Sequence, residues 1–170
     1  MIRLRRATAD DADALALVHV QAWREAYVGL VPDNVLAELD PARRAAMWRE
    51  GMARTAMLQL AEQDDAIIGF GSSRRQTDPS LPYSGEIGAL YVLRHAQRQG
   101  TGRRLMAAMA RDLLDAGHVA ASLWVLEGNA TARRFYAALG GQEIARCEQQ
   151  HEGFAAVGIA YGWPDLTRLI

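Results

Sequence analysis

With 170 residues, half of them apolar and 23% charged, the chain suits one globular domain long enough to bury a core without a disulfide or metal staple. Nineteen basic residues, every one an arginine, face 20 acidic ones for a net charge of −1, which argues against a dedicated nucleic-acid binder. The lack of lysine excludes a Schiff-base lysine, a P-loop lysine and a Ser-Lys pair. Cys147 stands alone, so no intrachain disulfide forms, and the scattered histidines His19, His95, His118 and His151 lack metal-ligand spacing. The N-terminus turns acidic where a signal peptide needs an apolar stretch. The longest uncharged run, residues 153–164, is too short to span a bilayer. A cytoplasmic protein with no metal, no membrane and no nucleic-acid partner is expected.

In chain order, residues 2–8 alternate as a short strand. Thr8 is placed to cap a helix whose first turn holds Asp10 and Asp11, and Leu15, Val18 and Ala22 follow helical spacing until Gly29 and Pro32. Residues 32–39 read as a short helix, and Asp40-Pro41 opens another to about Gly51. Residues 56–62 and 66–75 form a hairpin through Asp64-Asp65, and residues 77–80 form a loop. Residues 86–92 (EIGALYV) read as a buried strand. Residues 102–116 are the clearest helix, with Leu105, Met109, Leu113 and Ala116 on one stripe and Gly117 at the C-cap. A strand over 119–126 and a helix over 129–139, closed by Gly140-Gly141, come next. Closing strands over 142–148 and 154–161 flank a polar turn at His151-Glu152-Gly153. From Gly162 onward no element is assigned. The order β-ααα-βββ-α-β-α-ββ predicts a single α/β domain over residues 1–170 (core 1–162, tail 163–170), with a mixed sheet and helices on both faces.

The most informative stretch is residues 89–105. A strand runs into a turn with Gly100 and Gly102, and a long helix starts there. Four N–H groups at a helix start lack intrahelical partners, the macrodipole adds partial positive charge, and glycine lets an anion approach closely. Arg94, Arg98, Arg103 and Arg104 lie near the same turn. A tight strand–helix turn with solvated arginines is the plain alternative. The turn is neither a dinucleotide fingerprint, since the third glycine would fall on Leu105, nor a P-loop.

Gln97-Arg98-Gln99-Gly100-Thr101-Gly102 resembles the pyrophosphate motif of the GNAT superfamily of N-acetyltransferases, Gln/Arg-x-x-Gly-x-Gly/Ala, and Leu90-Tyr91-Val92 looks like that family's central strand. Arg98 stands where many members have an extra glycine, and Leu93-Arg94 where a proline is common. Downstream, Asn129, Ala132 and Tyr136 are similar to the family's Asn-x-x-Ala-x-x-x-Tyr segment. Asn129, Arg133 and Tyr136 share one helical face, and Ala132, Phe135 and Leu139 form a second stripe facing the core. Read without the family, these are an N-cap, a core phenylalanine and a half-buried tyrosine.

The resemblance implies a mostly antiparallel sheet of about seven strands with two splayed central strands. It implies acetyl-CoA held through its pyrophosphate by Gln97 to Gly102 with Arg103, its pantetheine arm between the strands at 86–92 and 119–126, and its thioester near the Leu90 N–H. Tyr136 is the implied acid beside the sulfur. Glu86, counted on one strand face with Gly88, Leu90 and Val92, is the candidate base, directly or through water; a strand-end glutamate paired with an arginine is the equal alternative. The amine acceptor of the family meets the segment between the first two helices, here Trp23 and Tyr27, which read equally as core. A small-molecule or peptide amine is the implied acceptor, and a homodimer is common in the family. A CoA-binding module without turnover is the competing reading. A toxin-like enzyme acting on charged tRNA fits the near-neutral charge poorly.

Overall fold

In the computed structural model, which describes residues 1–54, 56–151 and 153–170, β1 (Arg3–Arg6) leads through a 3-10 turn at Ala9–Asp11 into α1 (Ala12–Ala26). The Thr8 N–H donates to Asp11 Oδ2 at 2.7 Å and starts the helix. Helices α2 (Asp33–Ala37) and α3 (Pro41–Arg54) come next, with Asp40 Oδ1 accepting from the Ala42 N–H at 2.9 Å. Strands β2 (Met57–Gln63) and β3 (Ala66–Arg75) turn at Asp64 and Asp65, whose φ values of +51° and +62° make the two-residue turn that matches strand twist. Then come β4 (Gly85–Val92), α4 (Thr101–Asp115), β5 (Ala121–Leu126), α5 (Ala130–Ala138), β6 (Gln142–His151) and β7 (Phe154–Trp163). Within the turn expected at 151–153, Glu152 lies outside the described residues.

The seven strands form one sheet in the order β1-β2-β3-β4-β5-β7-β6. Every neighbouring pair is antiparallel except β4–β5. Adjacent residues of β3 show that both faces are covered. Phe70 packs with Leu15, Val18 and Ala22 of α1. At Gly71 a Cβ would fall 2.6 Å from Met109 Sδ, so α4 presses on the opposite face and a side chain there would displace the Met109 thioether. Met106, Met109 and Leu113 pack there with Ile87, Leu123, Tyr161 and Trp163. Ala116, expected on the same stripe, is the exposed C-cap. The tail forms a 3-10 turn at Leu166–Leu169 and buries Leu166 against α4, although no element was expected there.

Two irregularities interrupt the sheet at its centre. Strands β4 and β5 pair only at Gly85–Ala121 and Glu86–Ser122, then diverge. Strand β4 also carries a bulge: Ser73 faces Ile87 and Ser72 faces Ala89, so Gly88 is an extra residue. The bulge corrects the expected face of β4. Leu90 and Val92 pack on the α4 side with Leu105, whereas Ala89 and Tyr91 turn to the α1 side with Phe70. Glu86, opposite Arg74, is on the α1 side and does not share a face with Leu90 and Val92. Nor is β4 buried throughout; beyond Ile87 it is exposed or half-buried.

Candidate functional site

Where β4 and β5 diverge, a cleft of about 820 Å³ opens, a size suited to a small organic ligand. Its walls are sheet edges that lack a neighbour. The Leu93 N–H donates to Ile68 O at 2.9 Å. Antiparallel alternation then directs the amide groups of Tyr91 toward β3, and those of Leu90 and Val92 into the gap.

At one end lies the turn before α4. Gln97, Arg98, Gly100, Thr101, Gly102 and Arg103 all line the cleft. Gln97 Nε2 donates to Val92 O at 2.9 Å, and Thr101 Oγ1 to Ala96 O at 3.3 Å, which fastens the turn to β4. Arg98 and Gly100 both take left-handed backbone conformations, φ +60° and +79°. Among the described residues no acceptor meets the backbone N–H groups from Arg98 to Arg103. They form an anion-binding concavity continuous with the helix start. At Gly102 the reason for glycine is contact: a Cβ would sit 3.2 Å from Phe135 Cζ.

Two expected side chains point elsewhere. The Gln99 amide turns back to donate to His95 O at 3.1 Å and does not line the cleft, leaving only its backbone N–H for a ligand. Arg104 donates to Ile2 O at 2.9 Å, across the β1 end. Arg94 does line the cleft, tied to α1 by its N–H to Glu25 Oε2 at 2.7 Å and its guanidinium to Glu25 O at 2.9 Å.

On the α5 side, Asn129 Oδ1 accepts from the Ala132 N–H at 3.1 Å, so Asn129 caps the helix while it and Ala132 border the cleft. Arg133 leaves the face it was expected to share with them and donates to Glu127 O and Glu143 Oε1. Tyr136 is buried in the core cluster and also reaches the cleft, whereas Ala132, Phe135 and Leu139, expected as core, only flank that cluster. Burial pushes the Tyr136 phenol above its usual range, and nearby Tyr27 adds to the shift. The Tyr136 hydroxyl has no hydrogen-bond partner among the described residues.

Trp23 and Tyr27 meet edge to face at 4.8 Å. They pack on Val20, Val31 and Leu36 and also line the cleft. The Tyr27 and Tyr91 hydroxyls are 3.0 Å apart. Trp23 Nε1 is buried without an acceptor, and the Arg44 guanidinium stacks 5.2 Å from the Trp23 ring centre. His19 is structural: Nδ1 accepts from Trp48 Nε1 at 3.0 Å, and burial lowers its pKa to about 3.

Glu86 forms a two-pronged ion pair with Arg74 at 2.8 and 3.0 Å and is not on the cleft surface. Its Oε1 lies 3.9 Å from where a Gly88 Cβ would be, next to the cleft floor. The far wall was not foreseen. Trp124 of β5, Gln149 and His151 of β6, and Phe154 of β7 line it. Alternation on β5 carries a signal for Trp124, since its neighbours Leu123 and Val125 face α4. Among the described residues there is no group of three metal-ligating side chains, and no helix is long and apolar enough to cross a membrane.

The sequence pattern of the acetyltransferase (GNAT) family matches residues 20–140. The "Uncharacterized N-acetyltransferase YuaI" of Bacillus subtilis (strain 168) is 31% identical over 169 residues, 99% of this chain and 96% of its own length. The fold is shared with YncA of Salmonella typhimurium, a putative acetyltransferase solved with its cofactor acetyl-CoA, at TM-score 0.74 and 18% identity over 98% of this chain and 94% of that one. It is shared too with the PaiA N-acetyltransferase of Thermoplasma acidophilum, solved with coenzyme A, at TM-score 0.71 and 16% identity over 94% of this chain and 98% of that one.

Proposed function

Taking as premise that this chain belongs to the GNAT acetyltransferase family and is an acyltransferase, we propose that it carries an acetyl group from acetyl-CoA directly to a primary amine of a small molecule or peptide. The observation that carries this reading is the row of bare N–H groups from Arg98 to Arg103 at the end of a gap between two strand edges. That shape fits a long molecule with an anionic pyrophosphate at one end and an amide-bearing arm at the other.

When bound, acetyl-CoA supplies a thioester-activated acetyl group. The N–H groups of Arg98 to Arg103 hold its pyrophosphate, and the Arg98 and Arg103 guanidiniums at the rim offset its charge. Leu90 and Val92 present N–H and C=O groups to the arm in the manner of a strand added to a sheet. The Leu90 N–H is the donor assigned to the acetyl carbonyl, where negative charge develops as the amine attacks. Asn129 and Ala132 border the arm from the α5 side.

Two protons move. Tyr136 Oη, neutral at any working pH because burial raises its pKa, donates one toward the departing sulfur. Glu86 receives the amine's proton through water above Gly88, since its carboxylate, paired with Arg74, stops short of the cleft. Each assist is worth roughly 10²–10⁴ in rate. Trp23 and Tyr27 form the acceptor wall.

The Arg74–Glu86 pair favours a second reading, a module that holds CoA without turnover, because it occupies the candidate base. Thiol release from acetyl-CoA with a panel of primary amines, beside calorimetric CoA binding, separates the two. Amine-dependent release is expected. Binding without release supports the silent module, and absence of CoA binding refutes both.

A further inference from the structure

We infer, resting on the acetyl-transfer reading above, that the acceptor is a compact monoamine with an aromatic or branched apolar body, and that polypeptide amines and polyamines are disfavoured by the way the acceptor end of the cleft is closed.

The closure comes from the segment between α1 and α2. It is a tight turn, with the N–H groups of Leu30 and Val31 both donating to Tyr27 O at 2.9 and 3.0 Å. From this turn and from α2, two side chains reach the opposite wall. Leu30 Cδ2 lies so close to Gly128, between β5 and α5, that a Cβ there would be 3.0 Å away. Val35 Cγ2 lies equally close to Gly153, beside the β6–β7 tip, at 3.1 Å from its would-be Cβ. Leu30 and Gly128 both line the cleft and bridge its walls, and Val35 with Gly153 ties α2 to the β6–β7 tip beside Phe154, which together make an arch at this end of the cleft. An extended peptide backbone would have to part them.

Beneath the arch the walls are aromatic: Trp23 and Tyr27 from α1, Tyr91 from β4, Trp124 from β5 and Phe154 from β7. The Trp124 ring is held by its Nε1 donating to Asp78 Oδ2 at 3.1 Å, and Phe154 stacks on His151 at 4.7 Å. Such walls suit a flat or branched apolar body with one amine, whose charge the ring faces accept. They do not suit a second ammonium. Glu25 is the one carboxylate on the cleft among the described residues, and it already accepts from the Arg94 N–H.

The test titrates the full chain calorimetrically with phenethylamine, spermidine and an alanine-initiated hexapeptide, each with and without CoA. Phenethylamine is expected to bind at least tenfold more tightly than either competitor. Comparable or tighter binding of the hexapeptide or spermidine overturns the inference, as does no binding of phenethylamine in either condition. This readout needs no acetyl transfer, so its failure is distinct from a failure of the thiol-release assay. Leu30→Ala combined with Val35→Ala opens the arch and keeps every aromatic side chain of the walls. It is expected to raise the hexapeptide's affinity relative to phenethylamine at least threefold, and an unchanged ratio in the folded variant overturns the arch.

Discussion

Gly100→Val is the sharpest perturbation of the anion turn, because nothing crowds the site. Gly100 has φ +79°, and a Cβ there would meet no atom within 4 Å. The whole cost is therefore conformational, about 1–2 kcal/mol for an L-residue held left-handed and toward the upper end for a β-branched one. If the turn keeps its shape, a chain of 170 residues loses about 2–8 °C in Tm, at 2–4 °C per kcal/mol. If the turn relaxes instead, the N–H groups beside residue 100 swing out of the concavity. A hydrogen bond to a charged group is worth about 1.5–3 kcal/mol, so losing one weakens CoA roughly 10- to 150-fold. Melting curves without ligand and CoA titration calorimetry read the two outcomes, and Gly100→Ala serves as the smaller-side-chain control. A variant with wild-type Tm and wild-type CoA affinity refutes the reasoning.

Tyr136→Phe is expected to lower turnover at least tenfold with little change in CoA affinity, and unchanged turnover removes its acid role. Glu86→Gln is expected to depress kcat more than KM; an unchanged kcat assigns the base elsewhere. His19 makes stability pH-dependent. Its pKa falls from 6.5 unfolded to about 3 folded, so the unfolded state binds the extra proton and stability is lost as pH drops below 6.5. At about pH 4.5 that amounts to roughly 2–3 kcal/mol against pH 7, and a His19→Gln variant should show a shallower loss of Tm over this interval. The depressed carboxylates Asp11 and Glu62 act at lower pH, below their ordinary values of 3.8 and 4.5. Asp112, 4% exposed, accepts from Arg6 and from Gln59 Nε2. Asp112→Ala strands the buried Gln59 amide and is expected to cost about 1–3 kcal/mol by urea unfolding, with no change in CoA affinity.

Element order was readable because local signals punctuate the chain. Asp64-Asp65 turns the hairpin, Asp40 starts α3, and Gly117 and Gly140 take the positive φ that ends their helices. The anion turn was readable for the same reason: its glycines sit between a strand and an amphipathic helix. What escaped depends on pairing across the sheet. Nothing in EIGALYV marks Gly88 as an extra residue, because a bulge is a relation between β4 and β3; period-two counting therefore placed Glu86 on the wrong face relative to Leu90. Side-chain direction within the turn escaped too. Arg98, Gln99 and Arg104 look alike as polar neighbours of glycine, and only the left-handed backbone at Arg98 separates a lining residue from two that face away. Trp124 and Phe154 come to line one cleft with the α1 aromatics only once β5, β7 and β6 assemble. The tail carries a cue of its own in Asp165, whose Oδ1 accepts from the Thr167 N–H at 3.0 Å and starts the last turn.

The divergence of β4 from β5 makes the sheet two leaves, one of four strands and one of three, stitched at two residue pairs. Ladder bonds that would lock the leaves are missing along the rest of that seam, which leaves two strand edges facing each other unpaired. On the proposed reading, a thin amide-bearing guest would supply the missing rungs and fuse the leaves. The fold thus keeps part of its own cohesion in reserve, to be completed from outside.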